Sequence, residues 1–100
     1  MKKVYIVQVY LKEHDRTDIV DITLEPENVQ DIIMEYLLGR IQDAEEYGTA
    51  HDVQCEKEAM VEIWNFYKNY DFESRHVGST VSYGVHWFNI SVTVRTLYEK

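Results

Sequence analysis

Alternating apolar and polar residues predict two β-strands near the start of the chain. Residues 4–11 are rich in β-branched and aromatic side chains on both faces, which is typical of a strand inside a sheet. In residues 19–24, Val20, Ile22 and Leu24 alternate with polar positions and predict a second strand with these three side chains on one face. The polar segment between the two strands is short, so we expect an antiparallel hairpin.

Apolar positions with helical spacing follow and predict two helices. Pro26 suits the first turn of a helix, where its missing N–H costs nothing, and Gly48 is expected just beyond the end of that helix. Thr49 and Asp52 resemble a capping box that begins the second helix. The expected inner faces are Val29, Ile32, Ile33, Tyr36, Leu37, Ile41 and Ala44 on the first helix, and Cys55, Ala59, Ile63, Phe66 and Tyr70 on the second.

The pattern returns to alternation in the last part of the chain. Two sets of apolar residues alternate in opposite registers: Val81, Tyr83, Val85 and Trp87, then Phe88, Ile90, Val92 and Val94. Because a slip of one residue exchanges the two faces of a strand, the change at Trp87–Phe88 predicts a bulge or a break between two strands. The order ββααββ predicts a single α+β domain over residues 1–100. We expect an antiparallel sheet of three to four strands with two helices packed on one face.

Cysteine content and hydropathy restrict the class of protein. The chain has 100 residues and one cysteine, Cys55, which excludes an internal disulfide framework and favours a cytoplasmic protein. Cys55 falls on the expected inner face of its helix, so we expect a buried, inert thiol rather than a metal ligand beside His51. The apolar run 4–11 is too short for a membrane span and too interrupted for a signal peptide.

Signatures of catalysis are absent from the sequence. It has no Gly-rich phosphate loop, no serine nucleophile elbow and no HExxH motif, and its histidines are scattered. We therefore expect no enzymatic activity, no catalytic residues, no cofactor, no bound metal and no contact with a membrane.

Two opposite charges fall among the apolar positions of the helices. On a helical wheel, Arg40 points into the apolar arc of the first helix and Glu56 into that of the second. One interpretation is a buried ion pair between the helices. The other, which the sequence slightly favours, is that Gly39 breaks the first helix and turns Arg40 toward water.

Negative charge is concentrated in the helical part of the chain. The formal net charge is −8, and residues 27–73 hold twelve acids against three bases. Several carboxylates recur four residues apart, and each such like-charged pair costs a helix roughly 0.2–0.5 kcal/mol. The pairs are Glu27–Asp31, Asp31–Glu35, Asp52–Glu56 and Glu58–Glu62. A helix selected for stability alone would alternate the signs.

This charge pattern has two interpretations. One is a solvated acidic surface without a partner. The other is a polyanionic face that binds a basic surface of a protein partner, with carboxylates where phosphates would stand. Direct nucleic-acid binding is not expected, because phosphate contacts need many Lys and Arg side chains. The predicted partner-binding residues are Glu27, Asp31, Glu35, Glu58 and Glu62, with Trp64 as an aromatic anchor.

The profile of the whole chain is similar to that of small proteins encoded by phages and mobile elements. These are short α+β domains with an acidic helical face, many Tyr residues and no catalytic signature, and several anti-CRISPR and anti-restriction proteins look like this. The resemblance is one of composition and implies an inhibitor that binds a basic, nucleic-acid-handling site on a partner protein. It assigns no functional residues.

Two further functions fit the same sequence. One is a homodimeric structural or regulatory module that associates through an exposed edge of the terminal strands or through the Trp64 region. The other is a small-ligand-binding domain, which would need a polar pocket around His86 or Arg40, between the sheet and the helices.

Overall fold

The computed structural model describes residues 2–97 and has the predicted order of elements. The elements are β1 (Lys2–Leu11), β2 (Arg16–Thr23), α1 (Asn28–Tyr47), α2 (Ala50–Tyr67), β3 (Thr80–Gly84) and β4 (Phe88–Leu97). The strands form one antiparallel sheet in the order β2-β1-β4-β3. The predicted α+β architecture is therefore confirmed.

The two strands in the middle of the sheet carry most of its core face. β1 and β4 pair from Lys2↔Leu97 to Leu11↔Phe88 without a change of register. Their alternate side chains are buried beneath the helices: Tyr5, Val7 and Val9 on β1, and Phe88, Ile90, Val92 and Val94 on β4. The helices complete this core with Val29, Ile33, Leu37 and Ile41 from α1, and Ala59, Ile63 and Tyr67 from α2.

A β-bulge interrupts the pairing of β1 with β2. The register shifts between Val7 and Gln8, so that Val20 is the extra residue on β2. Val20 packs against the core, whereas Ile19 and Ile22, on either side of it, project from the sheet face opposite the helices. The prediction that Val20 and Ile22 share one face is therefore wrong, because the bulge changes the phase of alternation between them.

The beginning and the middle of α1 differ from the sequence predictions. Pro26 lies in the turn before the helix, where its C=O accepts a hydrogen bond from Val29 N–H at 3.2 Å. The helix continues through Gly39 without a break, so the predicted interruption there is wrong. One glycine costs a helix only about 1 kcal/mol, which packing of the inner face outweighs. Gly48 follows the last residue of α1, as predicted.

The break between β3 and β4 confirms the predicted change of register. Residues 85–87 form a turn in which Val85 N–H donates to Phe88 C=O at 2.9 Å. Gly84 is needed before this turn, since a Cβ there would collide with the Phe88 carbonyl oxygen as well as with the Asn89 side chain. The turn brings Trp87 next to the helices.

A capping box begins α2, as predicted. The Thr49 hydroxyl accepts a hydrogen bond from Asp52 N–H at 3.2 Å, and the Asp52 carboxylate accepts one from Thr49 N–H at 2.8 Å. Hydrogen bonds from the Thr49 backbone and side chain hold the pKa of Asp52 below its ordinary value. The predicted inner face extended to Tyr70, but α2 ends at Tyr67 and Tyr70 packs on the core from the following loop.

Because of this cap, the free energy of unfolding should decrease when the solution is made acidic. Because the pKa of Asp52 is lowered in the folded state, Asp52 makes its full contribution to the free energy of unfolding above its ordinary pKa of 3.8. It is lost as the pH falls through the lowered value. Asp52→Asn should therefore lose less stability than the wild type between about pH 5 and pH 2 in urea titrations. Glu45→Gln is the control, and equal slopes for Asp52→Asn and the wild type would contradict the role of the cap.

Candidate functional site

The two inward-pointing charges form an ion pair between α1 and α2. Arg40 Nε donates to Glu56 Oε2 at 2.8 Å, and Arg40 Nη2 donates to Glu56 Oε1 at 3.0 Å. The contact is bidentate, the strongest geometry for a guanidinium and a carboxylate. The two side chains keep 21% and 14% of their surface exposed. The ion-pair interpretation is therefore confirmed, and the preferred one, with Arg40 facing water, is wrong.

Aromatic side chains surround this ion pair. The Arg40 guanidinium carbon lies 3.9 Å from the centroid of the Phe88 ring, and Arg40 Nη1 donates to the Tyr36 hydroxyl at 3.1 Å. Trp87 Nε1 donates to Glu56 Oε1 at 3.2 Å. Burial acts to lower the pKa of Arg40, but the hydrogen bonds with Glu56 and Tyr36 raise it on balance. Arg40 therefore stays charged, and its contacts with Glu56 and Phe88 join both helices to the beginning of β4.

A cleft of about 340 Å³ opens beside the ion pair. Its walls are formed by Glu13, Arg40, Ala44, His51, Asp52, Cys55, Glu56 and Trp87. A polar pocket at Arg40 is what a small-ligand-binding domain would require. However, Arg40 and Glu56 bind each other, and Asp52 caps α2. The principal charged groups of the cleft therefore already have structural roles.

Cys55 lies at the wall of this cleft and not in the core. Its thiol is partly exposed, and Sγ lies 3.5 Å from His51 Nε2. The expectation of a fully buried thiol is therefore wrong. Positions four residues apart drift by about 40° around a helix, so Cys55 lies about 80° from Ile63, the centre of the buried stripe. Among residues 2–97, no group of three His, Cys, Asp or Glu side chains is arranged to hold a metal ion.

The predicted binding residues of α1 lie on its outer surface. Glu27 precedes the first residue of the helix, and Asp31 and Glu35 follow at intervals of four residues; all three are exposed. Leu38, on the same outer face, is 52% exposed. The ion pairs within the described part of the chain, Arg16–Asp18 and Arg40–Glu56, involve none of these carboxylates. We call Glu27, Asp31 and Glu35 the acidic row of α1.

The predicted binding residues of α2 do not share one surface. Positions two residues apart on a helix lie about 160° apart, so Glu62 and Trp64 point in nearly opposite directions. Glu62 accepts a hydrogen bond from the Tyr83 hydroxyl at 3.0 Å, and exposed Glu58 accepts one from the Gln54 amide at 3.2 Å. Trp64 is partly buried. The structure therefore brings Glu58 and Glu62 to one side of α2 and separates Trp64 from them.

An aromatic cluster that the sequence did not predict lies beside Glu62. The Phe66 ring stacks on Tyr83 with centroids 4.5 Å apart, while Phe66 remains 36% exposed. The hydrogen bond to Glu62 raises the pKa of Tyr83. The spacing of Glu62 and Phe66 on α2 was visible in the sequence, but their contact with Tyr83 depends on α2 lying over β3.

No family model, no curated protein and no solved structure matches this chain. Between residues 2 and 97, no helix has the length and the hydropathy needed to cross a membrane.

Proposed function

We propose that this protein is a small, non-catalytic interaction module that binds a basic surface of a partner protein through its acidic helical layer. The observation that supports this is the acidic row of α1, whose carboxylates are exposed and take part in neither of the described ion pairs. The corresponding role is inhibition at a site where the partner handles nucleic acid, with carboxylates in the positions of phosphates.

The internal roles of other acids strengthen the case for this row. Asp52 and Glu56 form a like-charged pair in the sequence, but one caps α2 and the other binds Arg40. Among residues 2–97, Glu27, Asp31 and Glu35 take part in no such cap or ion pair. Glu27 and Asp31 lie at the positive end of the helix dipole, which favours them, whereas the like-charged pair Asp31–Glu35 costs α1 roughly 0.2–0.5 kcal/mol. A row of exposed carboxylates outside the described ion pairs is suited to contact with an external positive charge.

Exposed apolar residues among the acids add a second element of a binding surface. Leu38 is 52% exposed on the outer face of α1, and Val61 is 56% exposed on α2. Protein interfaces combine an apolar centre with a polar rim, and the carboxylates supply that rim. Electrostatic attraction would then guide the encounter, and the apolar contacts would slow dissociation.

Charge reversal on α1 tests this proposal. A partner is captured from a lysate at low salt and purified, and its affinity for each variant is then measured by calorimetry at several salt concentrations. Asp31→Lys/Glu35→Lys should weaken binding at least about tenfold at low salt and flatten the salt dependence, because attraction is replaced by repulsion. Duplex DNA or RNA should compete with the protein for the partner.

Glu45→Lys/Glu46→Lys is the matched control, since it makes the same change in net charge near the other end of α1. It should weaken binding much less. Unchanged affinity after reversal of Asp31 and Glu35, or an equal loss in both variants, would count against a specific role for the acidic row.

A further inference from the structure

We propose that the sheet face opposite the helices is an interface between two copies of this chain. We call it the open sheet face; its apolar part includes Val4, Ile6, Tyr10, Ile19 and Ile22. The helices pack on the other face, where the buried apolar residues of β1 and β4 lie. This proposal is independent of the acidic row of α1, which lies on the opposite side of the molecule.

The β-bulge concentrates apolar side chains on the open sheet face. Ile19 and Ile22 are three positions apart, so in a regular strand they would project from opposite faces. The extra residue Val20 places both on this face, where Ile22 pairs with Ile6 and Ile19 with Gln8. Ile19 is 60% exposed and Ile22 is 51% exposed. These two exposed side chains and the half-buried Ile6 between them form an apolar patch over β1 and β2, which is typical of an interaction site. The part of the face formed by β3 and β4 is polar.

The distribution of charge favours association through this face over association through the helices. Among the described strand residues, the charged ones on the open sheet face are Lys2 and Arg95, near one end of β1 and β4. Two packed sheets lie about 10 Å apart, and each helical layer lies about 10 Å beyond its own sheet. The two acidic layers would then be about 30 Å apart, several times the Debye length of about 8 Å. Helix-to-helix association would bring the same charges together.

The open sheet face is large enough for a small dimer interface. The four strands have 10, 8, 5 and 10 residues, and with a rise of about 3.3 Å per residue and a spacing of about 4.8 Å they give a projected area of about 520 Å². A standard interface buries about 800 Å² on each partner, and side-chain relief increases the accessible area above the projected one. A two-fold axis that lies in the plane of the interface, perpendicular to the strands, would pair the face with itself and keep the two basic ends apart.

Sedimentation velocity from about 1 to 500 µM tests the interface, since these concentrations bracket the affinity of a modest dimer. We expect the wild type to show a concentration-dependent dimer. Ile19→Lys/Ile22→Lys should weaken dimerisation at least about 100-fold, because the two lysines of each copy would be buried in the interface together with the two lysines of the other copy. Ile19→Thr/Ile22→Thr, which keeps the β-branched side chains, should weaken it less, and it separates loss of the interface from loss of β2.

The matched control is Leu38→Lys/Val61→Lys, which alters side chains of similar exposure on the outer surface of the helices. This control should remain dimeric. A wild type that is monomeric throughout would overturn the proposal, as would a dimer that survives both isoleucine variants or is lost only in the helical control. Failure here leaves the proposed acidic binding face intact, since that is measured with a different partner and different variants.

Discussion

Replacement of Arg40 by Met should destabilise the protein by about 3 kcal/mol, because Glu56 is then left mostly buried without its counter-ion. The remaining hydrogen bond from Trp87 cannot replace a bidentate guanidinium. For a domain of this size the melting temperature should fall by roughly 12–24 °C. Glu56→Met should have an effect of similar size, since it leaves the Arg40 guanidinium against the Phe88 ring without its counter-ion.

The double variant Arg40→Met/Glu56→Met distinguishes an ion pair from a simple packing effect. Its stability should return close to that of the wild type, because replacement of a buried pair by apolar groups of similar volume is often neutral or stabilising. Arg16→Met, which breaks the exposed Arg16–Asp18 pair, is the control and should cost less than about 1 kcal/mol. Nearly neutral effects of both single substitutions at Arg40 and Glu56 would contradict a structural role for their contact.

Tyr67→Ala should cost about 3–5 kcal/mol, the range for deletion of a fully buried aromatic side chain. The Tyr67 side chain is completely buried; it packs against the ring of Phe72, and its hydroxyl donates to Ile90 C=O at 2.6 Å. Tyr67→Phe should cost less, about 1–2 kcal/mol, because the ring remains and only the hydrogen bonds of the hydroxyl, with Ile90 C=O and the Tyr83 backbone, are lost. Guanidinium chloride titrations of the two variants measure both differences.

The Tyr67 hydroxyl allows a second test of its role, at alkaline pH. Burial raises the pKa of Tyr67 above the ordinary value of 10.0. Its contribution to stability is therefore complete below about pH 10 and is lost as the pH rises further. Tyr67→Phe should lose less stability than the wild type in this range. Equal costs of Tyr67→Ala and Tyr67→Phe would mean that the hydroxyl, and not the packing of the ring, determines the effect.

Features set by neighbouring residues were predictable from the sequence. The capping box of Thr49 and Asp52 depends on side chains three residues apart, and the break before Phe88 depends on a change of alternation. The element order ββααββ was also predictable, because each element has a strong hydrophobic period of its own. The bulge at Val20 was not predictable. In so short a strand, the apolar and polar residues still alternate in sequence although one residue has no partner on β1.

Features that depend on contacts between elements were predicted less well. The direction in which Arg40 points depended on whether the helix continues through Gly39. It does, because the ion pair and the packing of α1 outweigh the low helix propensity of glycine. The exposure of the acidic row of α1 follows from helical phase and could be predicted. The separation of Trp64 from Glu62 was already implied by their spacing on the helix. The contact of Glu62 with Tyr83 required knowledge of which strand α2 covers.

The strand order also governs when the protein can fold during its synthesis. β1 is made first and β4 last, yet they are neighbours in the middle of the sheet. A nascent chain that has not yet released β4 from the ribosome can form the β1–β2 hairpin and both helices, but Tyr5, Val7 and Val9 lack their neighbours from β4. An open strand edge beside apolar side chains promotes aggregation. Messages truncated before β4 should therefore give insoluble or rapidly degraded products.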